Sequence, residues 1–109
     1  MNEILEQALL YDFYGELLTD HQKEIYEQFI IEDLSLSEIA ADAGISRQGV
    51  HDLIKRCHKI LEGYEEKLHL VEKFLSIKSK VHQMNDLLEQ ESPDLQSVKK
   101  ISGEIIEEL

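Results

Sequence analysis

Basic residues are scarce in this chain: 11 Lys and Arg stand against 23 Asp and Glu in 109 residues, a formal charge of -12. Cysteine, proline and glycine are scarce too, at one, one and five. The single Cys57 excludes an internal disulfide and fits a reducing compartment. With so few breakers there is no long run of turn residues, and almost nothing alternates with the period of a half-buried strand. The expected class is therefore all-α, with long helices joined by short connections. Nowhere do apolar residues persist for the roughly 20 positions needed to cross a bilayer, and the opening MNEILEQALL has no basic start. No membrane insertion and a cytoplasmic location are expected. The 42% apolar content suits one modest core with an appendage.

The charge is uneven. Residues 1–43 carry 11 acids and one base, a net of -10. Residues 44–60 carry Arg47, Lys55, Arg56 and Lys59 against Asp52, a net of +3, and residues 61–109 return to 11 acids and six bases, a net of -5.

Residues 3–18 read as an amphipathic helix on Leu5, Leu9 and Phe13, with Ile4, Ala8 and Tyr11 beside them, ending near Gly15. Thr19 with Gln22 forms a capping box for a helix from Asp20 to about Ile31, turned inward on Ile25, Tyr26, Phe29 and Ile30. Ser35 with Glu38 forms a second box, opening a short helix that Gly44 stops after Ala43. Ser46 caps a fourth helix, with Val50, Leu53, Ile54, Cys57, Ile60 and Leu61 on its apolar face as far as Glu62. A long helix from Tyr64 to about Gln90 follows. Its apolar residues Leu70, Phe74, Ile77, Val81, Met84 and Leu88 are spaced 4, 3, 4, 3, 4, a heptad seam. In ESPDL, Ser92 is the expected cap and Pro93 the first residue of a terminal helix carrying Leu95, Val98, Ile101, Ile105 and Leu109. The expected domains are a head over residues 1–62 and a helical arm over 63–109.

The stretch SEIAADAGISRQGVHDLIKR, residues 37–56, has the requirements of a helix-turn-helix spanning residues 37–58. Two helices that cross steeply need a small residue where they touch and a residue that accepts positive φ in the turn, supplied by Ala40 and Gly44. Ile39, Ile45, Val50 and Leu53 are the expected packing partners. Arg47, Gln48, His51, Asp52 and Lys55 are left outward on the second helix.

Residues 18–61, LTDHQKEIYEQFIIEDLSLSEIAADAGISRQGVHDLIKRCHKIL, resemble region four of bacterial sigma factors. The wider chain, with YDFYGELLTDHQ and LEGYEEKLHL, resembles the YlxM family of small bacterial helix-turn-helix proteins. The first resemblance implies a supporting helix over residues 37–43 and a recognition helix over 46–58. Base-edge contacts would then fall to Arg47, Gln48, His51 and Asp52, and phosphate contacts to Lys55, Arg56 and Lys59. Arg47 suits guanine and Gln48 suits adenine in the major groove. The second resemblance implies a regulator in the signal recognition particle pathway, or an adaptor that docks on the particle's GTPase, its receptor or its RNA without binding DNA. Gly49 departs from the pattern, offering no side chain at a cost of roughly 0.5 to 1 kcal/mol of helix stability.

The arm has few partners within the chain for so long an apolar stripe, which predicts a homodimer formed through residues 64–109, with Leu70, Phe74, Ile77, Val81, Met84 and Leu88 in the contact. Nothing calls for catalysis, a metal or a cofactor. His51, Cys57 and His58 are close in sequence, but Cys57 falls on the apolar side and a zinc site needs at least three convergent ligands. Ser46 has no His and Asp arranged to activate it, and no glycine-rich phosphate loop is present.

Overall fold

The structure, a computed structural model, describes residues 3–109. Its elements are α1 (Glu3–Tyr14), a 3-10 turn (Gly15–Leu17), α2 (Asp20–Ile30), α3 (Leu36–Ala43), α4 (Arg47–Leu68), α5 (Leu70–Leu88) and α6 (Leu95–Glu108), with no strand among the described residues. The all-α class follows directly. The chain divides into two compact units, Met1–His69 and Leu70–Leu109.

In the first unit α4 is the central element, packed against α1, α2 and α3. Its inner face buries Val50, Ile54, Cys57 and Leu61, four positions at helical spacing. Across from them lie Leu10, Tyr11, Tyr14, Ile25, Tyr26 and Ile39, all buried. Both expected capping boxes form: Thr19 Oγ1 accepts from the Gln22 N–H while Gln22 Oε1 accepts from the Thr19 N–H, and Ser35 and Glu38 repeat the exchange.

Three local expectations are corrected. The buried face of α1 is Leu10, Tyr11 and Tyr14, whereas Leu5 and Phe13 are exposed. A shift of one residue turns a helix face by about 100°, and the tyrosines decide the turn. The Tyr11 hydroxyl donates to Glu27, and the Tyr14 hydroxyl donates to Glu65 while its ring stacks on Tyr64 at 6.0 Å.

Those last contacts also explain the second correction. The helix expected to stop near Glu62 runs through Gly63 to Leu68, because Tyr64 and Glu65 are held against α1 and the turn after the glycine is fixed from outside. The break comes at His69, left-handed at φ 55°, whose N–H donates to the Glu65 carbonyl. The units therefore meet at 69/70 rather than at 62/63.

Third, α6 is capped by Asp94, not Ser92. Asp94 accepts from both the Ser97 N–H and the Ser97 hydroxyl, at 3.2 and 2.7 Å, which lowers its carboxyl below the usual range. A carboxylate also gains from the helix dipole where a serine does not. Pro93 stands just outside the helix.

The second unit is a hairpin of α5 and α6. Near its open end the Ser76 hydroxyl donates to Glu108 at 2.7 Å and Lys80 lies 3.2 Å from the same carboxylate. Together they hold that carboxyl below its ordinary value.

Candidate nucleic-acid interface

The two helices of the motif are set by backbone chemistry that the sequence encodes within a few residues. α3 ends where Gly44 takes φ 72°, a conformation that costs an L side chain roughly 1–2 kcal/mol. The Gly44 and Ile45 N–H groups both donate to the Ala40 carbonyl, at 3.0 and 3.2 Å, closing the helix end. Ser46 then starts α4, its Oγ accepting from the Gly49 N–H at 2.9 Å.

Of the expected packing residues, Ile39, Ala40 and Val50 are buried and Leu53 is half-buried. Ile45 is not a core residue; it keeps 40% of its surface exposed. The left-handed turn at Gly44 carries it outward, over the start of α4 near Gly49. Gly49 itself is half-buried against this cap. A Cβ there would lie 3.1 Å from Ser46 Oγ, so the missing side chain accommodates the serine that holds the helix start.

Arg47, Gln48, His51, Asp52, Lys55, Arg56 and Lys59 are all exposed on α4. At about 100° per residue, Gln48, Asp52, Lys55 and Lys59 form one outward stripe, with Arg56 on one side of it and His51 and Arg47 on the other. Asp52 ties the first half of this surface together. It accepts from Gln48 Nε2 at 2.9 Å, and His51 Nδ1 lies 3.6 Å from the same oxygen. Adenine recognition by Gln48 would require it to release that amide. Further along, His58 Nε2 lies 3.0 Å from Glu62, so the positive surface ends there. Gln48 with Asp52 and His58 with Glu62 have the four-residue spacing at which side chains on a helix meet.

Beside the stripe, a groove of about 290 Å³ is lined by Phe29, Leu36 and Ile54 with His51, Lys55 and His58 at its polar edge. Sequence spacing did not reveal it, because α2 and α3 supply Phe29 and Leu36 to complete the apolar wall beside Ile54 of α4. Cys57 is buried, and burial raises its thiol above the ordinary value more than Arg56 lowers it. That environment disfavours the thiolate needed by a nucleophile or metal ligand. Among the described residues, no group of three or more His, Cys, Asp or Glu could hold a metal ion, and no helix is long and apolar enough to cross a membrane.

Comparison with known proteins agrees with this architecture. The UPF0122 family, described as "Putative helix-turn-helix protein, YlxM / p13 like", matches residues 1–102. A UPF0122 protein of Caldanaerobacter subterraneus is 47% identical over 80% of this chain and 74% of its own length. One from Thermoanaerobacter sp. strain X514 is 42% identical over 97% of this chain and 96% of its own, and one from Acetivibrio thermocellus is 52% identical over 73% and 68%. With a helix-turn-helix whose turn and caps are in place and a family match over nearly its whole length, the chain belongs to the UPF0122 family of YlxM-like helix-turn-helix proteins.

Proposed function

We propose that this protein is a DNA-binding regulator acting in the signal recognition particle pathway, reading a duplex through the first three turns of α4 and working as a pair of chains. One observation carries the DNA reading: in a chain of net charge -12, the local excess of base is exposed on the second helix of a helix-turn-helix. Arg47, Gln48, His51 and Asp52 face the bases in this reading, and Lys55, Arg56 and Lys59 the phosphates. Acidic surfaces turned away from the duplex are screened beyond about 8 Å at physiological salt, so they weaken this attraction without cancelling it. The sigma-region-four likeness supports the docking mode, and the YlxM resemblance supplies the pathway.

A second reading rests on a different observation. Glu6, Asp12, Glu16, Asp20 and Glu24 are exposed on and around α1 and α2, as a surface for docking on a basic protein partner would require. In that reading the protein is an adaptor for the particle's GTPase or its receptor.

Fluorescence anisotropy against a duplex from upstream of the protein's own operon, with random duplex as control, separates the two. If DNA is the target, Arg47→Ala loses about 1–3 kcal/mol of sequence discrimination, while Lys55→Ala weakens all duplexes alike and lowers the salt slope by about one unit. Absence of binding even at low salt would refute the DNA reading. Charge reversal on α1 and α2 would then be the informative change.

A further inference from the structure

The α5–α6 hairpin has one apolar side. Ser76 and Lys80 mark the edge of α5 turned to α6, and Glu108 marks the matching edge of α6. At about 100° per residue, Val81 and Leu88 lie roughly a third of a turn round α5 from that edge. Ile106 and Leu95 lie somewhat further round α6 in the same rotational sense. The helices run antiparallel, so equal senses of rotation bring both sets to the same side of the hairpin. These side chains are not core: Val81, Leu88, Leu95, Ile106 and Leu109 expose from about half to four-fifths of their surfaces.

The geometry points to a second copy of this chain as the occupant of that side, with its hairpin laid face to face so that α5 of one copy crosses α6 of the other. The inference deepens the pairing named above and does not depend on DNA binding. Three features favour a second copy. The first is apolar register. The Glu108 carboxylate is level with residues 76–80, so each step back along α6 matches one step forward along α5. Ile106 is then level with Val81 to within about one residue, and Leu95 lies about 4.5 Å of rise beyond Leu88. A second hairpin related by a twofold axis along the helices sets Val81 on the second copy's Ile106 and Leu88 beside its Leu95. Turned end for end, it would still pair Val81 with Leu88 but would set Ile106 against Ser97.

The second feature is charge. On the outer edge of this arrangement Glu89 lies within about 3 Å of rise of the second copy's Lys99, so opposite signs meet. The third is size. The 19 residues of α5 span about 28 Å and two helices abreast about 20 Å. Counted on both partners that footprint is roughly 1,100 Å², just under the roughly 1,200 Å² at which stable interfaces begin and in the range of weak, reversible ones. Pairing is accordingly expected at micromolar concentration.

Sedimentation of the full chain at 5 to 200 µM tests the pairing, with about 25 kDa expected at the upper end against 12.7 kDa for one chain. A single species of one-chain mass at 200 µM would overturn it. Ile106→Glu is expected to raise the dissociation constant at least tenfold with helicity unchanged. Cysteine cross-linking tests the register, using chains that carry Val81→Cys mixed with chains that carry Ile106→Cys; Cys57 is buried and stays out of the reaction. The mixture is expected to give a crosslinked pair in high yield, with little from either variant alone. A higher yield from Val81→Cys mixed with Leu88→Cys would overturn the register in favour of the end-for-end arrangement. None of these readouts involves DNA, so failure of the regulator reading leaves them intact.

Discussion

Gly63 lies inside α4, where a glycine costs helix stability and no turn makes use of its freedom. An added Cβ would meet nothing within 4 Å, and the following turn is held by the Tyr14 contacts with Tyr64 and Glu65. Gly63→Ala should therefore gain most of the helix-propensity difference, about 0.8 kcal/mol, with no steric loss. For a unit of this size that raises Tm by roughly 3 to 6 °C. All four tyrosines, Tyr11, Tyr14, Tyr26 and Tyr64, lie in the first unit, so tyrosine near-UV circular dichroism follows its melting apart from that of the hairpin. Gly49→Ala is the internal comparison. It has the same propensity term, but its Cβ would crowd Ser46 Oγ at 3.1 Å and disturb a cap worth about 1 kcal/mol, so the sum should fall within about 0.5 kcal/mol of zero. If Gly63→Ala left Tm unchanged or lowered it, α4 would have to bend or open at residue 63, and the account of why the helix passes Glu62 would be wrong.

The Tyr26 hydroxyl is buried with no hydrogen-bond partner among the described residues, so Tyr26→Phe should stabilise the first unit by about 1 kcal/mol in urea denaturation. Burial, then the nearness of Cys57 and Glu62, pushes this phenol up to about 12. Its folded value is raised, so its contribution is complete below the ordinary 10.0 and is lost as pH rises through about 12; Tyr26→Phe should lose less helicity over that window. In the hairpin, the Ser76 hydroxyl and then Lys80 lower the Glu108 carboxyl from 4.5. A lowered folded value gives stability that is present above 4.5 and lost as pH falls through the folded value, so the protection of α6 amides relative to their intrinsic exchange rates should fall in acid, and Glu108→Gln should flatten that dependence. Equal acid sensitivity in the variant would count against the Ser76 and Lys80 contacts.

What could be read from the sequence was whatever is decided within one helical turn. Thr19 with Gln22, Ser35 with Glu38, and Ser46 each define a helix start through hydrogen bonds spanning three residues, and all three formed as the sequence indicates. Gly44 defines an end through its own φ. The outward set on α4 was legible for a related reason, since a period of 3.6 separates it from Val50, Ile54, Cys57 and Leu61 without reference to any partner. Features set by distant residues were not legible. The face of α1 depends on hydroxyl contacts 16 and 51 residues away, and helix continuity through Gly63 depends on one of the same tyrosines. The heptad stripe in α5 was legible as a spacing, but all six of its residues were assigned to a contact between chains. Only the fold-back of α6 shows that Ile77 and Met84 are half-buried while Val81 and Leu88 join Leu95 and Ile106 on an open side.

That open side bears on how an acidic chain could hold a duplex. A single head offers four bases over residues 44–60, with Asp52 already engaged beside two of the residues assigned to base contacts. Counterion release scales with the number of phosphates neutralised, at about 0.9 units of salt slope for each. Four contacts give a slope near 3.6, which is shallow and matches weak, largely non-specific binding. Two heads double the slope. In a paired chain, then, α5 and α6 would make a weak recognition helix usable, and a hairpin variant that sediments as one chain should lose duplex affinity and halve the salt slope with every residue of α4 intact. Loss of affinity at an unchanged slope would mean that one head makes all the phosphate contacts and that pairing serves another purpose.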